Sequence, residues 1–297
     1  MGIQLRVTDG AISARVLKNL QHNLGRVSDL QEQLSSGKLL NRPSDSPTGT
    51  VSAMQLRGDV RSEQQFVRNT EDGIGWLGTL DTALTSSVTQ VGRVRDLMLQ
   101  GMSAGAAGSA EGREALAVEV DNIRQALVSL ANTKYLDRPV FGGTTAGGVA
   151  YHQDGSYAGN TGEVVRTIGT GSTVRVDIPG PEAFGTGAHQ LFEVLTSVAA
   201  NLRTNPAALN GDLDRLDTTR KTITTKLADV GARYNRVEHM RENALNRVLS
   251  LRSQLSEVED IDLPGTIMEM QLQQTAYQAA LAASAKVMQP SLIDFLR

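Results

Sequence analysis

Steps of four and three residues from Ile223 pick out Ile223, Leu227, Val230, Tyr234, Val237, Arg241, Ala244, Val248, Leu251, Leu255 and Val258. Every position but Arg241 is apolar. Leu213 and Leu216 extend the seam upstream, with Arg220 as a second polar break. An apolar stripe repeating every 3.5 residues over this length predicts a coiled-coil helix. Such a stripe is narrow and needs a partner helix. The N-terminal segment supplies a similar pattern: Val16, Leu20, Val27, Leu30 and Leu34 share a seam that Asn23 interrupts. Ser35-Ser36-Gly37 closes that helix, because glycine accepts the left-handed conformation at a helix C-terminus.

Pro43-Ser44-Asp45-Ser46-Pro47 then breaks the chain, since two prolines this close oppose a continuous helix. Ser46 reads as an N-cap with Pro47 at the first helical position. A second helix is expected from Pro47 to Met102, and a Gly-Ala-Ser turn over Gly101 to Gly112 leads into a third. There Leu116, Val120, Ile123, Leu127 and Leu130 alternate without a break. A short turn between two such helices predicts a helical hairpin. From Tyr135 to Gly185 glycine is dense and the helical period disappears. Val164 to Ile178, turning at Gly169-Thr170-Gly171, predicts a β-hairpin. A second is expected around Asp154-Gly155, between Tyr151 and Tyr157. Helix returns at Leu191. After Asp262-Leu263-Pro264-Gly265 a last helix carries Ile267, Met270, Tyr277, Leu281 and Met288.

The expected fold is therefore mainly α, with long antiparallel coiled-coil helices formed by the N- and C-terminal halves and a small inserted β-rich domain. Three parts are expected: 1–42 with 262–297 as a terminal coiled coil, 43–134 with 188–261 as a helical rod, and 135–187 as the β-rich insert. The assembly contacts expected from the seams are Val16, Leu20, Val27, Leu30, Leu34, Leu251, Leu255, Ile267, Met270, Tyr277, Leu281 and Met288.

Composition narrows the function. Of 297 residues, 40% are hydrophobic and only 4% aromatic, which suits thin rods better than a thick catalytic core. The net charge of −3, with no basic run, argues against nucleic acid as a partner. The chain has no cysteine, so disulfide and thiolate chemistry are excluded. That also suits a chain kept unfolded and uncrosslinked during transit. No apolar stretch of roughly 18 residues is present, so no membrane-spanning helix is expected. Met1 to Val16 lacks the basic start, apolar core and small-residue cleavage site of a Sec signal peptide.

Catalytic motifs fail on context. Gly73-Ile74-Gly75-Trp76-Leu77-Gly78 fits a dinucleotide fingerprint, but helical pattern runs on both sides where a strand must precede it. Small residues allowing close helix packing explain it better. Gly101-Met102-Ser103-Ala104-Gly105 fits a nucleophile elbow, but a helix enters it rather than a strand. His22, His152, His189 and His239 are scattered, which opposes a zinc site. Asp212, Asp214 and Asp217 lack the spacing of a calcium loop and read as charges favouring a helix N-terminus. The sole tryptophan, Trp76, reads as a packing residue. No catalytic, cofactor or metal site is expected.

Several segments together resemble the bacterial flagellin family, specifically its hook–filament junction members. They are Leu34 to Pro47, reading LSSGKLLNRPSDSP; Asp72-Gly73-Ile74-Gly75-Trp76-Leu77; Val94-Arg95-Asp96-Leu97-Met98; Ala131-Asn132-Thr133 with Val140-Phe141-Gly142-Gly143; Val176 to Gly180 with Phe184; and Gln289 to Arg297. Ser46 departs from the usual second Asp, and Arg138-Pro139 from a more regular strand entry. The resemblance implies a non-enzymatic, extracellular flagellar protein exported unfolded through the type III apparatus. It implies terminal helices that are disordered in the monomer and pair as a coiled coil on assembly, self-association in a ring, and partners comprising the hook-side junction protein, flagellin and an export chaperone. Two other readings compete: a filament subunit, and a cytoplasmic coiled-coil signalling protein with stably folded termini.

Overall fold

The computed structural model describes residues 3–103 and 109–287, without the side chains of 3–10, 12, 13, 286 and 287. Met288, the C-terminal tail and Ala104-Gly105 of the elbow-like motif lie outside the described residues. The elements are α1 (Ile3–Ser36), α2 (Pro47–Met102), α3 (Ala110–Ala131), β1 (Lys134–Tyr135), β2 (Arg138–Pro139), β3 (Val165–Gly169), β4 (Ser172–Arg175), α4 (Gly180–Phe184), α5 (Leu191–Thr204), α6 (Leu209–Glu259) and α7 (Leu263–Val287). No described helix is long and apolar enough to cross a membrane. The chain forms two compact units, Met1–Arg61 with Leu249–Arg297, and Ser62–Val248.

The second unit has one continuous core. Leu77, Leu84, Val91 and Met98 of α2 are buried with Ile223, Val230 and Val237 of α6. The two helices are antiparallel, as the ion pairs Glu63–Arg247 at 3.2 Å and Arg95–Asp217 at 3.0 Å fix their register. Ser109 caps α3 by accepting from the Gly112 N–H at 3.0 Å. Helix α3 runs back along α2, with Arg93 reaching Glu119, and packs against α5, whose Arg203 pairs with Glu114 and Asp121. The α6 seam differs from the expected one at a single layer. Arg220 is exposed, and Thr219 fills the interior position. The Thr219 hydroxyl lies 2.9 Å from both His189 O and Arg215 O, so a small polar side chain satisfies itself there and the cation stays in water. Arg241 is half-buried and pairs with Glu238 of its own helix at 3.4 Å.

The β-rich block belongs to this same unit. Strands β3 and β4 pair antiparallel, with Gly171 in the turn at φ 68°. Tyr151 and Tyr157 form an isolated bridge. A hairpin not foreseen in the sequence, β1–β2, turns through Leu136 at φ 47° and Asp137 at φ 61°. Asn132, at the end of α3, holds the following loop. Its Oδ1 accepts from the Ala150 and Tyr151 N–H groups and its Nδ2 donates to Tyr151 O, all at 2.8 Å.

Two sets of contacts fasten the block to the helices. On α6, Arg233 donates to Asp177 O and Arg175 O, and Lys226 pairs with Glu182 at 3.0 Å. The wholly buried Asp177 accepts from Val164 N–H at 2.7 Å and Arg175 Nε at 3.1 Å. On α2, Trp76 lies under the Arg138 and Arg166 guanidiniums at 5.4 and 6.0 Å, with the Tyr135 ring edge-on at 5.8 Å. The fingerprint glycines make this approach possible. A Cβ on Gly75 would overlap the Tyr135 ring, and one on Gly73 would touch Val176 and Val237.

Gly75→Val should therefore lower stability by about 1–3 kcal/mol through overpacking. Thermal unfolding followed by the fluorescence of Trp76, the only tryptophan, measures this. A melt unchanged from the parent would show that the β1–β2 hairpin does not press on α2.

Candidate assembly surface

The first unit is built differently. Helices α1 and α7 pack together as an antiparallel hairpin. Arg26 reaches Glu269 at 3.1 Å, and Asn23 Oδ1 accepts from Gln273 Nε2 at 3.3 Å. The inward positions of α1 are Val16, Leu20, Asn23, Val27, Leu30 and Leu34, in unbroken four-three steps. Those of α7 are Thr266, Met270, Gln273, Tyr277, Ala280 and Ser284. Two expected seam residues, Ile267 and Leu281, lie instead on the outward side at 36% and 43% exposure. Apolar residues are spread all round α7, so the sequence alone does not decide which stripe faces α1.

Little is buried by this pairing. Among the described side chains of α1 and α7, only Val27, Leu30 and Gln273 are buried. Val16, Leu20, Leu34, Met270 and Tyr277 are half-covered, as are Leu251 and Leu255 at the end of α6. Among the described residues, eleven of the seventeen exposed large hydrophobic side chains belong to this unit, among them Leu17, Leu24, Leu263, Met268 and Leu272. An outward set this rich in large aliphatic groups makes this face the candidate assembly surface.

Two turns close the unit. Gly37, at φ 70°, ends α1. The Asp45 carboxylate then accepts from the backbone N–H groups of Asn41 and Arg42 at 3.1 and 2.7 Å. Ser46 Oγ accepts from Gly49 N–H at 3.1 Å and starts α2 as expected. The turn between α6 and α7 lies against this one. Leu39 N–H donates to Glu259 O at 2.6 Å and Ile261 N–H to Gly37 O at 3.3 Å. Side chains reinforce the bridge: Lys38 pairs with Asp260, and Glu259, only 3% exposed, stands 2.7 Å from Arg57 Nε and 3.5 Å from Lys38 Nζ. Arg57, Glu259 and Asp260 did not stand out in the sequence, because a clasp between turns more than 200 positions apart leaves no local period.

The residues that the catalytic motifs single out are otherwise placed. Ser103 Oγ is occupied by Gln100 O at 2.7 Å, and His152 and His189 are exposed. Among the described residues no group of three His, Cys, Asp or Glu side chains is placed to hold a metal ion. Asp212 accepts from Ser197 and Asn201 in the first turn of α6, a structural role.

The hydrogen bond from Lys38, then that from Ser256, holds the Asp260 carboxyl below the usual carboxylate range. The same Asp260 bond raises Lys38 above the usual lysine value. Asp260 thus contributes fully above its unfolded pKa, and the contribution fades as pH falls through the lower folded value. Lys38 contributes fully below its unfolded pKa and loses its share only as pH rises through the higher folded value. The clasp is complete across neutral pH. Hydrogen exchange at the Leu39 and Ile261 amides should lose protection below about pH 4 once the intrinsic pH dependence of exchange is removed. Asp260→Asn should start less protected and lose that acid step. An identical acid profile in Asp260→Asn would detach the clasp from this carboxylate.

Comparison with known proteins agrees with this architecture. The bacterial flagellin N-terminal helical region matches residues 8–144 and the C-terminal helical region matches 213–296. The flagellin of Bacillus subtilis (strain 168) is 24% identical, covering 99% of this chain and 100% of its own length. Flagellar hook-associated protein 3 of Escherichia coli (strain K12) is 23% identical over 85% of this chain and 87% of its own. Among solved structures, flagellar hook associated protein-3 from Legionella pneumophila superposes with a TM-score of 0.61 at 15% identity, covering 69% of this chain and 98% of that one. FlgL of Bacillus cereus does so with a TM-score of 0.58 at 19% identity, covering 69% and 100%. With its N- and C-terminal helical regions both matched in order around the β-rich block, the chain belongs to the bacterial flagellin family, structural and non-enzymatic components of the flagellum.

Proposed function

We propose that this protein is the adaptor that joins the hook-side junction to the flagellin filament, exported unfolded and completing its fold on assembly. The observation that carries the assembly half of this reading is the thin α1–α7 pairing. Ordering a residue costs roughly 1–2 kcal/mol of backbone entropy, and of the described side chains in helices of 34 and 25 residues only three are buried. Neighbouring subunits supply the surface that the chain itself lacks, so ordering and assembly are coupled. The junction half is supported by the Pro43-Ser44-Asp45-Ser46-Pro47 turn, the single small β block and the likeness in fold to hook-associated proteins. Its partners would be the hook-side junction protein below, flagellin above, copies of itself around a ring, and an export chaperone before secretion.

A filament subunit is the second reading, favoured by the near-complete coverage of the Bacillus subtilis flagellin. Polymerisation separates the two. The purified chain should not elongate into long filaments alone; long filaments would make it the filament subunit. Limited proteolysis of the free chain should remove roughly the first 40 and last 35 residues first. Resistant termini would end the coupled-folding reading and return the stable coiled-coil alternative.

The outward face can be tested directly. Leu281→Asp changes a side chain that is already exposed, so free-chain stability should move by no more than about 0.5 kcal/mol. Incorporation into flagella should nevertheless be lost, because an unpaired charge buried at a contact costs several kcal/mol. Normal incorporation would remove Leu281 from the assembly surface.

A further inference from the structure

The α1–α7 seam contains one polar layer, made by Asn23 and Gln273. Gln273 is 9% exposed and is the one buried polar side chain among the described side chains of these two helices. Its amide donates to Asn23 Oδ1 at 3.3 Å, across the seam from α7 to α1. The Thr266 and Ser284 hydroxyls donate back to Asp262 O and Ala280 O, and apart from the Tyr277 phenol the other inward positions, Val16, Leu20, Val27, Leu30, Met270 and Ala280, are apolar.

We infer that Asn23 and Gln273 are the specificity-determining pair of the terminal hairpin: they select the register in which α1 and α7 meet. This rests on the proposed role of the hairpin as the assembly element. The argument comes from what the other layers fail to specify. Heptad seams of short and flexible apolar residues accept a shift of one heptad with similar burial, since the same stripe faces the same stripe. In the observed register, the Asn23–Gln273 and Arg26–Glu269 contacts set Val27 beside Met270 and Leu20 beside Tyr277. A slip of one heptad carries Gln273 to Val16 or Leu30, and Asn23 to Ala280 or Thr266. At least one buried amide then loses its partner. A buried polar group left unsatisfied disfavours that state by roughly ten- to a hundredfold. The clasp between the turns holds register only at the closed end, and the exposed Arg26–Glu269 pair is too weakly coupled to hold it further along the helices alone.

Register matters because the outward residues sit on both helices. Leu17 and Leu24 project from α1, and Leu263, Met268 and Leu272 from α7. A slip of one heptad moves one set past the other by about 10 Å. The apolar face offered to a neighbouring subunit would be scrambled, although the hairpin itself would remain helical.

The chain has no cysteine, so engineered pairs report register without background. Val27→Cys with Met270→Cys reports the native register, and Val27→Cys with Tyr277→Cys reports the slipped one. Both pairs are to be oxidised in purified full-length protein and in isolated flagella. In the parent, the native pair should crosslink at least tenfold more than the slipped pair. With Asn23→Leu and Gln273→Leu together, helicity should be kept or raised, while the slipped pair rises to within a few-fold of the native one. If the double variant crosslinks only in the native register, the layer does not select register and the inference falls, with the pairing intact. If the parent crosslinks at neither pair in either sample, the α1–α7 pairing itself fails and takes the assembly reading with it.

Discussion

Everything distinctive about this chain depends on how little apolar surface a single helical seam can cover. A helix that meets only one partner buries a stripe and leaves the rest of its side chains in water. In the Ser62–Val248 unit that limit is overcome, because α2, α3, α5, α6 and the β block all contribute to one core. Leu77, Leu80, Leu84 and Leu97 are essentially inaccessible there. In the other unit α1 and α7 have chiefly each other, and among their described large aliphatic groups only Val27 and Leu30 are buried. The same composition thus yields one region with a thick shared core and one whose helices bury little of their apolar surface.

Helix existence was legible because the seams are long. The limits expected for α2 coincide with those observed, since Pro47 and the Ser46 cap act locally and strongly. The β3–β4 hairpin was legible from its glycine turn for the same reason. What the pattern could not reveal was orientation where apolar residues surround a helix. Ile267 and Leu281 of α7 fit a stripe as well as Thr266 and Ala280 do, and only the partner decides which faces inward. Arg220 and Thr219 pose the same problem one residue apart: the seam bends around the cation by using the threonine. The β1–β2 hairpin escaped notice because Leu136 and Asp137 occupy left-handed positions that a reader of sequence assigns to glycine or asparagine.

The glycines of Gly73 to Gly78 show how a motif separates from its chemistry. In a strand–helix turn this spacing lets a pyrophosphate approach the backbone. Inside α2 the same absence of side chains lets the Tyr135 ring and Val176 approach instead. The physical property is identical and the visitor differs. Small residues at this spacing predict close helix packing; Val237 of α6 does lie near Gly73, but the nearer groups are the Tyr135 ring and Val176 of the β block.

The clasp at Lys38, Arg57, Glu259 and Asp260 and the polar layer at Asn23 and Gln273 bracket the terminal hairpin, and they act on different problems. The clasp places charges at the closed end, where the turns must meet whatever the helices beyond them do. Its two backbone bonds, Leu39 to Glu259 and Ile261 to Gly37, define where each terminal helix begins. They leave a helix pair free to slide only if its turns also give way. The polar layer lies further along the helices, where that leverage weakens and the apolar seam accepts more than one alignment. Replacing it with leucines would strengthen the hairpin and weaken its uniqueness. A chain whose terminal helices must present an aligned outward face to neighbours is better served by a hairpin that is marginal and unique than by one that is stable and ambiguous.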